Sequence, residues 1–180
     1  MRNLYEAPGS NVQPRPDRDG LRAFTGTDKY LDKWSGLIEG SSRFAGFNWA
    51  AFFFGTLWFV YRKLYIWAIV VFLVSLATAD LLAFVLLLVA PETSLPAVGI
   101  ATVLGEFLLI RLPAGLFANV IYFRKAAIAV QDAHAHSEGE REAYLRKKGG
   151  TNEMLMWGAF FVLMLLRIAG ALIQYSNGGS

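Results

Sequence analysis

The chain has 180 residues, of which 55% are apolar, and its formal net charge is only +3. Soluble domains have roughly 45–50% apolar residues, so this composition, with a mean hydropathy of +0.40, points away from an ordinary soluble protein. The basic residues are spread among acidic ones, which excludes the concentrated basic face of a nucleic-acid-binding protein, and the lack of cysteine excludes disulfides and thiolate sites.

The first 43 residues are polar and divide into two segments. Residues 1–26 are rich in proline, glycine and charge, which predicts an irregular or disordered cytoplasmic tail. Residues 27–43 predict an amphipathic helix that ends at Gly40 and has one apolar face. That face consists of Tyr30, Leu31, Trp34, Leu37 and Ile38. It either lies in the membrane interface or packs on the protein's own cytoplasmic surface.

Residues 44–61 form a short aromatic segment, followed at once by two basic residues. Its length is at the low end of the roughly 17–25 residues that cross a bilayer. It predicts a re-entrant or interfacial helix; the alternative is a full span, giving four transmembrane helices. We expect interfacial contacts with lipid or a partner protein from Asn48, Trp49, Trp58, Tyr61, Arg62 and Lys63.

Three longer apolar runs, at 64–90, 97–123 and 154–175, predict transmembrane helices, so the membrane domain covers 44–175. At about 1.5 Å per residue, a helix over the first run outreaches the ~30 Å hydrocarbon core. Residues 124–152 predict a cytoplasmic helical loop. The sequence therefore predicts an all-α integral membrane protein with cytoplasmic amphipathic helices.

Basic residues indicate the orientation of the spans. Arg62 and Lys63 precede the first span and the loop at 124–152 is rich in lysine and arginine, whereas the connection at 91–96 has neither. The positive-inside rule then places both basic regions in the cytoplasm. We expect a multi-pass protein with a cytoplasmic N-terminus and a periplasmic C-terminus.

Four ionisable residues lie inside the predicted spans, and their formal charges sum to zero: Asp80, Glu106, Arg111 and Arg167. A lone charge in hydrocarbon costs at least ~2.5–3.5 kcal/mol, so these groups are expected to form an intramembrane polar network. Glu106 and Arg111 point about 140° apart on an α-helix, which favours pairs between helices over a pair with each other. The network is a structural lattice, a docking surface or a conducting path.

Motifs for catalysis and cofactor binding are absent from the sequence. His134 and His136 point away from each other on a helix, so we expect no metal site there. We therefore expect neither enzyme activity nor a cofactor. Small residues at Ala114, Gly115 and Ala118 favour a close helix contact.

Three stretches carry a family resemblance: FNWAAFFFGTLWFVYRKLY at 47–65, FANVIYFRKAAIAV at 117–130 and LRKKGGTN at 145–152. They resemble the domain of unknown function 2628 family, a group of small bacterial inner-membrane proteins. The likeness covers residues 30–151. It implies a location in the bacterial inner (cytoplasmic) membrane and supplies no catalytic residue.

These observations lead to two functional hypotheses. The first is a non-enzymatic inner-membrane accessory or scaffold protein that binds lipids and another membrane protein or a second copy of itself. The alternative is a small transporter or proton- or ion-conducting protein that uses the four intramembrane charges.

Overall fold

The computed structural model describes residues 16–90 and 95–178, and within these ranges the chain is helical without β-strands. Residues 1–15, which belong to the predicted tail, and 91–94, in the predicted outer connection, lie outside the described residues. The helices are α1 (Arg18–Thr25), α2 (Lys29–Glu39), α3 (Trp49–Phe54), α4 (Thr56–Tyr61), α5 (Tyr65–Val89), α6 (Leu95–Glu106), α7 (Leu112–Ala133), α8 (Glu138–Lys148) and α9 (Glu153–Gly178). A π-helical turn, Phe107–Arg111, joins α6 to α7.

Three helical stretches are long and apolar enough to cross a membrane: Tyr65–Val89, Pro96–Ala133 and Glu138–Gly170. This confirms the prediction of an all-α chain with three helices suited to spanning a bilayer. Within an apolar part of 18 residues in each stretch, no residue is buried in the first and third stretches, and 11% of the residues are buried in the second. The apolar helices thus present most of their surface outward, as lipid-facing helices do.

The prediction of an irregular tail up to residue 26 is wrong for residues 18–25, which form α1. The Asp17 carboxylate caps this helix by accepting a hydrogen bond from the Gly20 amide. Leu21 and Phe24 are fully buried, and the Phe24 ring lies 5.7 Å from the Tyr122 ring. Contacts with distant parts of the chain therefore stabilise a helix whose own sequence is short and charged.

The apolar face of α2 packs on the protein itself. This favours the interpretation of α2 as a helix packed on the protein's own surface over one that lies in the membrane interface. Leu31, Trp34 and Ile38 are buried. The Trp34 indole N–H donates to the Asn119 carbonyl at 3.1 Å, so α2 is fixed against α7. The helix ends at Gly40 in the left-handed conformation (φ 73°), as predicted.

The protein's core is built around α7, whose buried residues run along its whole length. Alanines with little or no exposure, among them Ala118 and Ala126, let neighbouring helices approach α7 closely. α1, α3 and α8 each pack against α7, and α1 also packs against α8. The described structure therefore combines a compact helical core with apolar helices that extend from it.

Candidate functional site

The segment predicted as one short aromatic helix is a helical hairpin of α3 and α4, here called the aromatic hairpin. Its bend is Gly55, with φ 48° and ψ −122°, a backbone conformation that favours glycine. A Cβ atom at this position would lie 2.6 Å from Nη1 of Arg111. Glycine is therefore required here both by the backbone and by the close approach of the arginine.

A buried amide network fixes the beginning of the aromatic hairpin. Asn48 caps α3 by accepting from the Ala51 amide at 2.9 Å, and its Nδ2 donates to Oδ1 of Asn119 at 2.8 Å. The fully buried Asn119 donates from its Nδ2 to the carbonyls of Ala45 and Gly46, both at 3.1 Å. Because these amide groups find partners, the network sets the position of the hairpin without an unsatisfied buried group.

The end of the aromatic hairpin is fixed by cations. The guanidinium carbon of Arg62 lies 4.8 Å from the ring centroid of Tyr30, 5.1 Å from that of Tyr61 and 5.2 Å from that of Tyr122. Burial raises the pKa of the Tyr30 phenol, with the charge of Arg62 acting in the opposite direction. Lys125 donates from Nζ to the carbonyls of Arg62 (3.3 Å) and Lys63 (3.0 Å).

Both ends of the aromatic hairpin therefore lie beside α7, farther toward its C-terminus than the bend does. Asn48 contacts Asn119, and Arg62 contacts Tyr122, whereas the bend lies next to Arg111, nearer the middle of the apolar stretch. The two ends of the segment thus lie on the same side of its bend along α7. A single helix spanning 44–61, which was the alternative, is not present.

Arg111 pairs with Glu106, contrary to the prediction that these two residues point apart. The Arg111 guanidinium donates to Oε1 of Glu106 from Nε (3.3 Å) and Nη2 (3.2 Å). The prediction assumed a regular α-helix, but residues 107–111 form a π turn, whose i→i+5 bonding brings residues five apart onto one side. Pro113, which cannot donate to a carbonyl and collides with one in a regular helix, follows this turn. From Nη1, Arg111 also donates to the Phe53 carbonyl at 3.0 Å.

The other two members of the predicted polar network do not join this pair in the described structure. Asp80 is exposed on α5 and makes no ion pair or hydrogen bond with any side chain that the structure describes. Arg167 lies in α9, and its side chain is outside the described residues. Of the predicted network, the structure brings together Glu106 and Arg111.

Comparison with known proteins identifies the family. A family model described as "Protein of unknown function (DUF2628)" matches residues 23–127. The chain belongs to this family. The matched range contains the whole aromatic hairpin together with Arg111 and Asn119 of the second apolar stretch. No curated protein and no solved structure matches the chain.

The six residues predicted to make interfacial contacts fall into three groups by exposure. Asn48 and Trp58 are each only 5% exposed, so their prediction as lipid- or partner-contacting residues is wrong. The indole of Trp58 faces inward to the Tyr122 ring, 6.2 Å away, and Asn48 is held by the amide network. Trp49, in contrast, is 64% exposed. The partly exposed residues of the six are Tyr61, Arg62 and Lys63.

The outer face of the aromatic hairpin is a second feature of the site. Trp49, Phe53 and Phe54 are exposed large apolar residues, and the rings of Trp49 and Phe53 stack at 6.0 Å with an interplanar angle of 22°. We call these three residues the aromatic face. Because the hairpin beneath is fixed by hydrogen bonds and by the cation–π contacts of Arg62, the aromatic face is held in a defined orientation.

Sequence reasoning missed Asn119 and Tyr122, which the site depends on. Both lie in the FANVIYF part of α7, where a polar asparagine interrupts an apolar stretch. Asparagine within a membrane helix is a signal for a hydrogen bond between helices. Asn119 could therefore have been predicted to form a hydrogen bond between helices, although its partners could not have been predicted from the sequence.

Proposed function

We propose that this family member is a non-enzymatic accessory or scaffold protein of the bacterial inner membrane, which binds another membrane protein or lipid. The observation that carries the proposal is the aromatic face, exposed on a hairpin that a buried amide network and a hydrogen bond from Arg111 hold in place. Rigid tryptophan and phenylalanine side chains provide large contact areas at low entropic cost. Such a surface suits a partner whose helices pack against it.

The bonding of the polar groups of the site supports a structural role for these groups rather than a role in catalysis. Asn48 and Asn119 bond to each other and to backbone groups, and Arg111 bonds to Glu106 and to the Phe53 carbonyl. Their hydrogen-bonding capacity is thus largely used within the fold. This supports a binding protein over an enzyme.

We propose that the aromatic hairpin is re-entrant and dips into the membrane from the cytoplasmic side. The hairpin begins beside Asn119 and ends beside Lys125, toward the basic end of the second apolar stretch, and its bend lies near Arg111, about halfway along that stretch. α1, α2 and α8 then lie in the cytoplasm, because α1 packs against both α7 and α8. The N-terminus is cytoplasmic and the C-terminus periplasmic.

The proposal is tested by recovery of a partner from native membranes. A tagged full-length chain is crosslinked in cells and extracted gently, and proteins recovered in fixed ratio to it are quantified. We expect Trp49→Ala combined with Phe53→Ala to abolish the recovery of such a membrane protein. The control is Leu88→Ala on α5, which removes an equally exposed apolar side chain away from the aromatic face. Recovery that is unchanged by the double variant, or a chain without any stoichiometric partner, contradicts the proposal.

A transport function is the second candidate, and Asp80 is the observation that favours it. An ionisable residue exposed in the middle of a membrane helix is a candidate for an ion path by default. Three spans rarely enclose such a path, so this candidate also requires an oligomer. It predicts a pH- or potential-dependent flux in liposomes that Asp80→Asn abolishes; an inactive wild-type chain excludes it.

A further inference from the structure

A second site lies in the groove between the beginning of α5 and the end of α7, which encloses a cavity of about 520 Å³. Three cations line it: Lys63, Arg124 and Lys125. Its remaining walls are apolar or aromatic and include Tyr65, Trp67 and Ile128, and no carboxylate lines it. We call this cavity the basic groove.

The cations of the basic groove keep hydrogen-bond donors available. Lys125 uses two of its three N–H groups on carbonyl oxygens, and Lys63 uses one, on the Lys147 carbonyl at 3.1 Å. Arg124 is exposed and makes no hydrogen bond or ion pair with any described residue. The groove therefore holds positive charge that the described part of the chain does not neutralise.

The first turn of α5 adds a second, independent source of donors. No side chain caps this helix at Leu64. In the described structure the backbone N–H groups of Tyr65, Ile66 and Trp67 have no hydrogen-bond acceptor. Free amides at a helix N-terminus, together with the helix dipole, attract anions such as phosphate.

We infer that the basic groove binds the phosphate of an anionic phospholipid; this inference rests on the proposed membrane-accessory function. The groove lies at the basic ends of two apolar stretches. In a membrane-spanning protein, such basic ends lie at the level of the lipid head groups. Exposed apolar side chains next to the cations, such as Ile128 at 60% exposure, provide a surface for the acyl chains. Because no carboxylate lines the groove, no side chain there forms an ion pair with the ammonium of a zwitterionic head group.

Lipid binding to the full-length chain in detergent tests this inference, with phosphatidylglycerol and phosphatidylcholine of matched chain length as the probes. Bound lipid is counted by native mass spectrometry. We expect the chain to bind phosphatidylglycerol in preference. A basic residue near a lipid surface contributes about 1 kcal/mol, so Arg124→Gln is expected to weaken phosphatidylglycerol binding about fivefold and Arg124→Glu about 25-fold. Arg124 makes no described structural bond, so the fold is expected to tolerate both variants.

The matched controls are Arg43→Gln and Arg43→Glu, which change an exposed arginine outside the groove. They are expected to alter lipid binding less than twofold. Equal binding of the two lipids, or Arg124→Glu variants that bind normally, overturns the inference. Displacement of short-chain phosphatidylglycerol by an equal concentration of inorganic phosphate also overturns it, because the groove would then recognise a soluble anion.

Partner recovery in the same preparations separates this inference from the proposed function. If Arg124→Glu binds lipid like the wild type while the Trp49- and Phe53-dependent partner is still recovered, only the lipid site is wrong. If lipid selectivity depends on Arg124 but no partner depends on the aromatic face, only the scaffold proposal is wrong.

Discussion

Glu106 and Arg111 form an ion pair at 3.2 Å although they lie five positions apart in the chain, because the helix between them is a π turn. The pair does more than neutralise two charges inside an apolar stretch. Arg111 also donates to the Phe53 carbonyl and lies against Gly55, so the pair orients the arginine toward the bend of the aromatic hairpin. π turns often mark functional positions in helices; here the turn connects an ion pair within the apolar stretch to the hairpin that carries the aromatic face.

Removing the carboxylate of this pair is expected to destabilise the protein. Glu106→Gln leaves Arg111 without its charged partner, and hydrogen bonds to charged groups contribute about 1.5–3 kcal/mol. We expect a loss of this size in the free energy of unfolding, measured by denaturant titration in detergent. The double variant with Arg111→Gln is expected to lose less than the sum of the two single variants, since the two residues share one interaction. Additive losses would show that the pair is not coupled.

Gly55→Ala is expected to cost about 1–3 kcal/mol of stability, because a side chain is strained at this φ and ψ and its Cβ collides with Arg111. Gly158 in α9 is the control, since a Cβ atom there meets open space. Gly158→Ala is expected to change the free energy of unfolding by less than about 1 kcal/mol. Thermal unfolding in detergent measures both, and equal effects of the two substitutions would contradict a sharp bend at Gly55.

Asn119→Leu is expected to be the most damaging single substitution in the core. It leaves the carbonyls of Ala45 and Gly46 and the Nδ2 group of Asn48 without their partner, at about 1–3 kcal/mol for each unsatisfied group. Thr102→Val is the control: it removes a hydroxyl bonded only within its own helix, to the Val98 carbonyl at 2.9 Å, and is expected to cost about 0.5–1 kcal/mol. Expression level and unfolding in detergent report the difference. A mild effect of Asn119→Leu would mean that the amide network does not hold the hairpin.

The sequence alone predicts the features that depend on residues close to one another in the chain. Long apolar runs specify the three membrane-suited helices, and the period of apolar residues with a terminal glycine specifies α2 and its end at Gly40. The small residues at Ala114, Gly115 and Ala118 mark where α7 is closely packed. Gly115 lies against the aromatic hairpin, since a Cβ there would be 2.5 Å from the Phe47 ring.

The features that escaped prediction depend on residues far apart in the chain or on irregular geometry. α1 is held by Phe24, which packs on Tyr122 and whose carbonyl accepts from the Gly150 amide at 2.9 Å. An inward-facing Trp58 and an outward-facing Trp49 look alike in a sequence rich in aromatics, since both residues suit a membrane interface. The Glu106–Arg111 pair was missed because a helical angle of 100° per residue does not apply to a π turn.

The most direct test of the account is whether the segment before the aromatic hairpin and α8, which follows two further predicted spans, lie on the same side of the membrane. The chain has no cysteine, so single cysteines can be introduced at Ser42, before the hairpin, at Ala143 in α8, and at Ser94 in the connection predicted outside. Labelling of intact cells with a membrane-impermeant maleimide, before and after permeabilisation, then reports the side of each position. We predict that the cysteines at 42 and 143 are both protected until the cells are permeabilised, whereas the cysteine at 94 is labelled at once. Labelling of position 42 in intact cells, with position 143 protected, would contradict the account, because the hairpin segment would then cross the membrane.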